Sequence, residues 1–207
     1  MIKNIVFDLV GVLMRFDTEE YYRRHGISPA YREIIQREVF RSMEWALQDR
    51  GAIREEDAAA AICARMPERL HEAVVDFIYR RNRAVLPIPG METLLKELKS
   101  AGFRLFLLSN TSAGYPRFLP KVRGIELFED RLISCDAGLV KPDPAFFRLA
   151  LERFGIEPSE SAFIDDTPIN AEAAHYVGMR AFIFNGDVQA LRTWLEGQTK
   201  EIQNEAK

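Results

Sequence analysis

The sequence predicts an α/β protein, a doubly wound parallel sheet interrupted early by a helical insert. Three observations carry this reading. From Met91 onward, short runs that are apolar throughout alternate with amphipathic helical patterns, as strands buried on both faces between helices must do. Between Arg15 and Val85 the chain turns rich in Arg, Glu and Ala and contains little strand-like sequence. Acidic, hydroxyl or lysine side chains stand just beyond the strand-like runs, at the edge where such sheets bind ligands.

The elements follow in order. Ile2 to Phe7 is β-branched and aromatic and reads as a buried strand. Within the insert, Leu47, Ile53, Ile62, Leu70, Val74 and Ile78 are spaced as helical faces. Leu86-Pro87-Ile88-Pro89-Gly90 breaks the chain. Met91 to Ala101 is an amphipathic helix with Leu94, Leu95 and Leu98 on one face and Gly102 as its cap. Phe103 to Leu108 and Arg131 to Cys135 are strands, which makes Cys135 a small buried hydrophobe. Asp143 caps a helix from Pro144 to Gly155. A strand from Ser161 to Ile164, a helix from Pro168 to Val177, a strand from Arg180 to Phe184 and a helix from Val188 to Leu195 complete the pattern. The expected division is a core of residues 1–15 and 86–200, a helical unit of residues 16–85, and a polar, fraying tail at 201–207. The segments Met14 to Asp17 and Leu86 to Gly90 would be the hinges.

Composition narrows the function. The chain has 207 residues, 28 Lys plus Arg against 31 Asp plus Glu, and 47% hydrophobic residues. A net charge of −3 supplies no basic field for phosphate backbones, so no nucleic-acid partner is expected. Cys63 and Cys135 are too few for a disulfide framework. No apolar run approaches ~18 residues, so no membrane partner is expected. The N-terminus lacks a small-residue cleavage site, which makes the cytoplasm the expected location.

Asp8 follows the first strand, Ser109-Asn110-Thr111 the second, and Asp165-Asp166 the fourth, while Lys141 lies beyond the third. Singly, each is an ordinary turn, cap or loop residue. Jointly they describe a chemistry. Carboxylates brought together raise one another's pKa unless a cation intervenes. Mg2+ takes oxygen ligands and is commonly held by one or two carboxylates plus substrate phosphate. Lys141 adds positive charge, and Ser109 with the amides after it can donate to phosphate oxygens. Nucleophile, metal, cation and donors together point to phosphoryl transfer.

In these residues the sequence resembles the haloacid dehalogenase-like (HAD) hydrolase superfamily. Phe7-Asp8-Leu9-Val10-Gly11-Val12, Leu107-Leu108-Ser109-Asn110-Thr111, Lys141-Pro142-Asp143-Pro144 and Phe163-Ile164-Asp165-Asp166 match its four motifs in order. The resemblance implies a Rossmann-like core and makes the helical unit a cap. Trp45 and Gly51-Ala52-Ile53 resemble the cap of a bacterial subgroup that includes α-D-glucose-1-phosphate phosphatases. It implies that Asp8 attacks phosphorus and carries an aspartyl-phosphate. Ser109 and the Asn110 amide would hold the phosphoryl oxygens, and Lys141 would neutralise Asp8 and the transferring group. Mg2+ would be held by Asp8, Asp166 and the Val10 backbone carbonyl, with Asp165 helping directly or through water. The partner is a small phosphate ester, and a monomer or weak dimer is expected by analogy.

One position departs from the family. Most of its phosphatases carry a second Asp two residues after the nucleophile as general acid/base, and here that position is Val10. Valine moves no proton, a loss worth about 10²–10⁴-fold. An anomeric oxygen leaves more readily than a simple alcohol, so sugar 1-phosphates or other activated esters are favoured as substrates. The alternatives are carbon–halogen hydrolysis, against which the Asp165-Asp166 pair argues, and a non-catalytic binding protein, against which Asp8, Lys141 and both acids argue. Among the remaining residues, the three histidines are expected on helical surfaces, Asn170 in packing or solvation in preference to supporting the acidic pair, and Trp45 in the helical core rather than stacking on a sugar. Arg117 is weighed as a contact for a substrate anion.

Overall fold

The structure, a computed structural model, describes residues 1–80 and 85–205. A five-stranded parallel sheet is built from β1 (Asn4–Phe7), β4 (Arg104–Ser109), β5 (Asp130–Ile133), β6 (Ser161–Asp165) and β7 (Arg180–Ile183). Its order is β5-β4-β1-β6-β7, so β1 sits at the centre with the chain winding away on both sides. Side chains alternate in direction along each strand, and both directions are apolar. Ile5, Phe7, Leu105 and Leu107 enter one core layer, while Val6, Phe106, Leu108 and Phe163 enter the other.

Helices cover both layers. On one side lie α6 (Met91–Ser100) and α10 (Val188–Glu205), through Leu94, Leu95, Leu98, Leu191 and Leu195. On the other lie α8 (Pro144–Phe154) and α9 (Pro168–Tyr176), through Phe146, Phe147, Ala150 and Ala174. Each fully buried Phe contributes roughly 1.5–3 kcal/mol. The α8 start is as read from the sequence: the Asp143 carboxylate accepts from the Ala145 amide at 2.8 Å, with Pro144 at the first helical position.

Between β1 and α6 stands the helical unit: α1 (Thr18–Arg24), α2 (Pro29–Ile35), a π-helical turn (Gln36–Phe40), α3 (Met43–Asp49), α4 (Glu55–Cys63) and α5 (His71–Arg80). It buries its own apolar cluster, including Tyr21, Ile35, Ile62, Val74 and Phe77. Residues 81–84 of this stretch and the last two of the expected tail lie outside the described residues.

Four expectations change. The junction segments are strands: β2 (Met14–Phe16) and β3 (Val85–Pro87) pair antiparallel, Arg15 opposite Leu86. Three residues each are too short for a period-2 pattern to register. The third strand ends at Ile133, and Cys135 lies in a helical turn, α7 (Ser134–Ala137), closed by Gly138 at φ +69°. Cys135 is half-buried, and burial together with Asp136 pushes its thiol up to about 12. Leu47 is half-buried while its neighbour Gln48 is buried, so α3 is turned relative to the apolar pattern. The last helix runs on past Leu195 to Glu205, through most of the expected tail.

Candidate active site

Parallel register brings the candidate residues to one level. Phe7 stands opposite Leu107 on β4 and Ile164 on β6. Asp8 therefore leaves β1 beside Leu108-Ser109 and Asp165, and its amide donates to the Ile164 carbonyl at 2.8 Å. Lys141 arrives from the loop between α7 and α8. Its ammonium lies 2.7 Å from Asp8 Oδ1 and 2.6 Å from Asp165 Oδ2. Asp8, Lys141 and Asp165 are 8%, 4% and 0% exposed, so this is an ion cluster inside the protein.

Burial at that depth demands that each charge be paired. Asp165 is satisfied completely: Oδ1 accepts from the Thr167 amide and the Asn170 side chain, and Oδ2 from Lys141 and Asn170. Burial pulls the Lys141 ammonium down, but the two carboxylates outweigh it and hold it above its ordinary value. Burial, partly opposed by Lys141, pushes the Asp8 carboxyl up to about 6. The Asp166 carboxyl is raised by burial and by Asp165.

Lys141 is itself positioned by Asn110. The Asn110 amide group accepts from the Lys141 main-chain N–H at 2.8 Å and donates to its carbonyl at 2.9 Å. Ser109 ends β4 fully buried, with a hydroxyl that lacks a hydrogen-bond partner among the described residues. A buried hydroxyl in that state awaits a ligand atom or water.

The carboxylates of Asp8, Asp165 and Asp166 each bring an oxygen within 4.8 Å of the others. Gly11 makes room for this. At φ +94° it adopts a backbone that favours glycine, and a Cβ there would lie 2.3 Å from Asp166 Oδ2. An all-oxygen donor set of carboxylates fits Mg2+.

Beside the cluster opens a cavity of about 380 Å³ between sheet edge and helical unit. Val10, Asn110 and Thr111 border it from the core, and Phe16, Phe40, Trp45 and Phe77 wall it. The two sides are tied by Ser134, whose hydroxyl accepts from the Thr111 amide and donates to the Asp49 carbonyl.

The structure brings Asp8, Ser109, Asn110, Lys141, Asp165 and Asp166 to one edge of the sheet, and Val10 borders the cavity beside them. Other residues differ from expectation. Asn170, assigned to packing or solvation, holds Asp165 directly. Its signal was position, one turn into the helix after the acidic pair, where an amide can reach back to the strand end. Trp45 packs on the helical cluster as expected but also walls the cavity. Arg117 pairs with Glu55 of α4 and is taken up there. His25 is half-buried and meets buried Asp76 at 3.0 Å, whereas His175 is on the surface as expected.

Comparison with known proteins decides the family. Residues 2–178 match the model for haloacid dehalogenase-like hydrolases. The chain belongs to that family. The HAD assignment agrees with all four motifs and with the sheet order. The chain is 38% identical to a phosphoserine phosphatase of Thermus thermophilus over 119 residues, 56% of this chain. It spans 47% of that relative's length. A HAD-like family hydrolase of Porphyromonas gingivalis is 27% identical with a TM-score of 0.70, over 94% of this chain and 98% of that one. A HAD family enzyme of Bacteroides thetaiotaomicron, solved as a magnesium complex, is 25% identical with a TM-score of 0.69, over 92% and 98% of the two chains. Among the described residues, no helix of this HAD protein is long and apolar enough to cross a membrane.

Proposed function

We infer that the protein hydrolyses small phosphate monoesters through an aspartyl-phosphate on Asp8, with Mg2+ as cofactor. The observation that carries this is the buried Lys141 ammonium bridging Asp8 and Asp165 beside a Ser109 hydroxyl that lacks a partner among the described residues. Asp8 Oδ2 is the attacking atom, since Oδ1 faces Lys141. Lys141 lowers the cost of bringing a dianionic phosphoryl group against a carboxylate. Ser109 Oγ and the Asn110 amide donate to the phosphoryl oxygens as charge develops on them. Water then cleaves the acyl phosphate and restores Asp8.

Asp8, Asp166 and the Val10 carbonyl would hold the metal, which neutralises charge between carboxylates and phosphate when bound. Asp165 acts from behind, because both of its oxygens are already occupied by Lys141, Asn170 and the Thr167 amide. Residues 16–85 serve as the cap over a core of residues 1–15 and 86–200. The β2–β3 ribbon is the hinge, and its closure excludes water during attack.

Val10 restricts the leaving group to one that departs without a donated proton, the class of sugar 1-phosphates and other activated esters. The test is phosphate release from sugar phosphates, nucleotides, flavin mononucleotide and alkyl phosphates, with and without Mg2+, beside Asp8→Asn. Metal-dependent release that the variant abolishes is expected. Silence on every phosphate, or metal-independent halide release from a halogenated acid, would overturn the reading.

A further inference from the structure

We propose that the leaving group is a neutral aromatic alcohol, so that the substrate class is aryl phosphate monoesters. This rests on the phosphatase reading above, which sets how readily the leaving oxygen must depart but not the shape of the body attached to it. The cavity beside Asp8 supplies that shape.

Its wall is a packed set of rings. Phe40 meets Phe77 edge-on at 4.5 Å between centroids and Trp45 at 5.5 Å, and Phe77 meets Phe16 at 6.2 Å. Rings already held by one another lose little freedom when a flat ligand joins them. A closed apolar cavity of about 150 Å³ accommodates benzene, so about 380 Å³ has room for a one- or two-ring body with its phosphate at the mouth.

Several polar groups at the border are already committed elsewhere and offer a sugar no partner. Each buried sugar hydroxyl needs a partner, and leaving one without costs affinity. Both ends of the Asn110 amide are committed to the Lys141 backbone. The Thr111 amide donates to Ser134, and the Gln36 amide nitrogen donates to the Tyr22 hydroxyl. Charge is discriminated as well. Among the described residues no Lys, Arg or His lines the cavity, whereas Asp49 does. A leaving group bearing a carboxylate or second phosphate would meet Asp49 and, among the described residues, no lining cation.

Val10 fits the same ligand. Its side chain borders the cavity where an acid would otherwise protonate the departing oxygen. A phenol ionises near pH 10, about six units below water, so its oxygen leaves unaided. Asp8 Oδ2 forms a bond to phosphorus, the phosphorus–oxygen bond breaks, and its electron pair stays on the phenolate. The water that later cleaves the aspartyl-phosphate supplies the proton the phenolate takes up. Phosphate and free phenol are released.

The experiment measures Mg2+-supported kcat/KM for 2-naphthyl phosphate, phenyl phosphate, 4-carboxyphenyl phosphate, glucose 1-phosphate and acetyl phosphate. Acetyl phosphate has no body to fill the cavity and reports the phosphoryl chemistry alone. Naphthyl phosphate should exceed glucose 1-phosphate by about tenfold or more, and the carboxylate on the phenyl ring should cost about tenfold. Trp45→Ala should lower the naphthyl value about tenfold. Glucose 1-phosphate at or above the naphthyl rate, or no discrimination against the carboxylate, overturns the aryl assignment and leaves the phosphatase reading standing. An unchanged naphthyl value in Trp45→Ala overturns it too. No release from any of the five, acetyl phosphate included, sinks both. The wild-type panel decides the matter even if the variant fails to fold.

Discussion

The sheet edge and the helical unit both join one cation to two carboxylates, but under opposite conditions. At the sheet edge Lys141 lies between Asp8 and Asp165 with side-chain exposures of 1%, 11% and 0%. In the helical unit Arg65 lies between Glu38 and Glu44 with exposures of 37%, 20% and 15%. Water screens the second set and competes with it. It hardly reaches the first, where each ion depends on its neighbours for solvation. A network of the first kind can hold a carboxylate in a costly state for chemistry, whereas the second fastens helices together and is replaceable.

The sharpest break of this contrast is to delete the two cations in turn. Lys141→Met strands Asp8 and Asp165 without a counter-charge and should lower stability by about 3–5 kcal/mol. Arg65→Met should cost less than about 1 kcal/mol. Chemical denaturation measures both, and equal losses would erase the distinction.

Next comes the carboxylate held under strain. The Asp8 carboxyl is raised from 3.8 to about 6 by burial. A carboxyl whose folded pKa exceeds its unfolded value binds protons more tightly when folded, so stability falls as pH rises through that window. At pH 8 with the metal chelated, Asp8→Asn should therefore be more stable than the parent by about 2–3 kcal/mol. The gap should close as pH falls toward 4. A less stable variant at pH 8 would show that Lys141 more than repays the burial of Asp8.

Two smaller effects sharpen the picture at the mouth of the cavity. Val10→Asp places an acid beside the leaving oxygen and should raise release from alkyl phosphates by about 10²-fold. An unchanged substrate range would count against the leaving-group argument. Gly11→Ala pushes a methyl group against the Asp166 carboxylate and should raise the Mg2+ concentration for half-maximal activity about tenfold. A metal titration of the two proteins checks this.

Much of the site was legible because it is local. A strand buried on both faces is apolar at every position, so Asp8 and Asp165 stand out as the first charges after Phe7 and Ile164. Ser109 shows in the same way after Leu108. Asn170 was misjudged because its partner, Asp165, is fixed by how α9 folds back over the end of β6. Cys135 was placed in a strand because an apolar run does not reveal where Ser134 turns its hydroxyl to Thr111 and Asp49.

The amino-acid order by itself determined the alternation of strands and helices, the helical insert and the level at which the charged residues stand, because period-2 and period-3.6 burial are read within a few residues. Only the tertiary structure decided that Lys141 pairs with Asp165 as well as Asp8, that Asp165 is fully occupied, and that Phe16, Phe40, Trp45 and Phe77 meet around one cavity. Those contacts join segments far apart in the chain, and their geometry depends on how whole elements pack rather than on any local pattern.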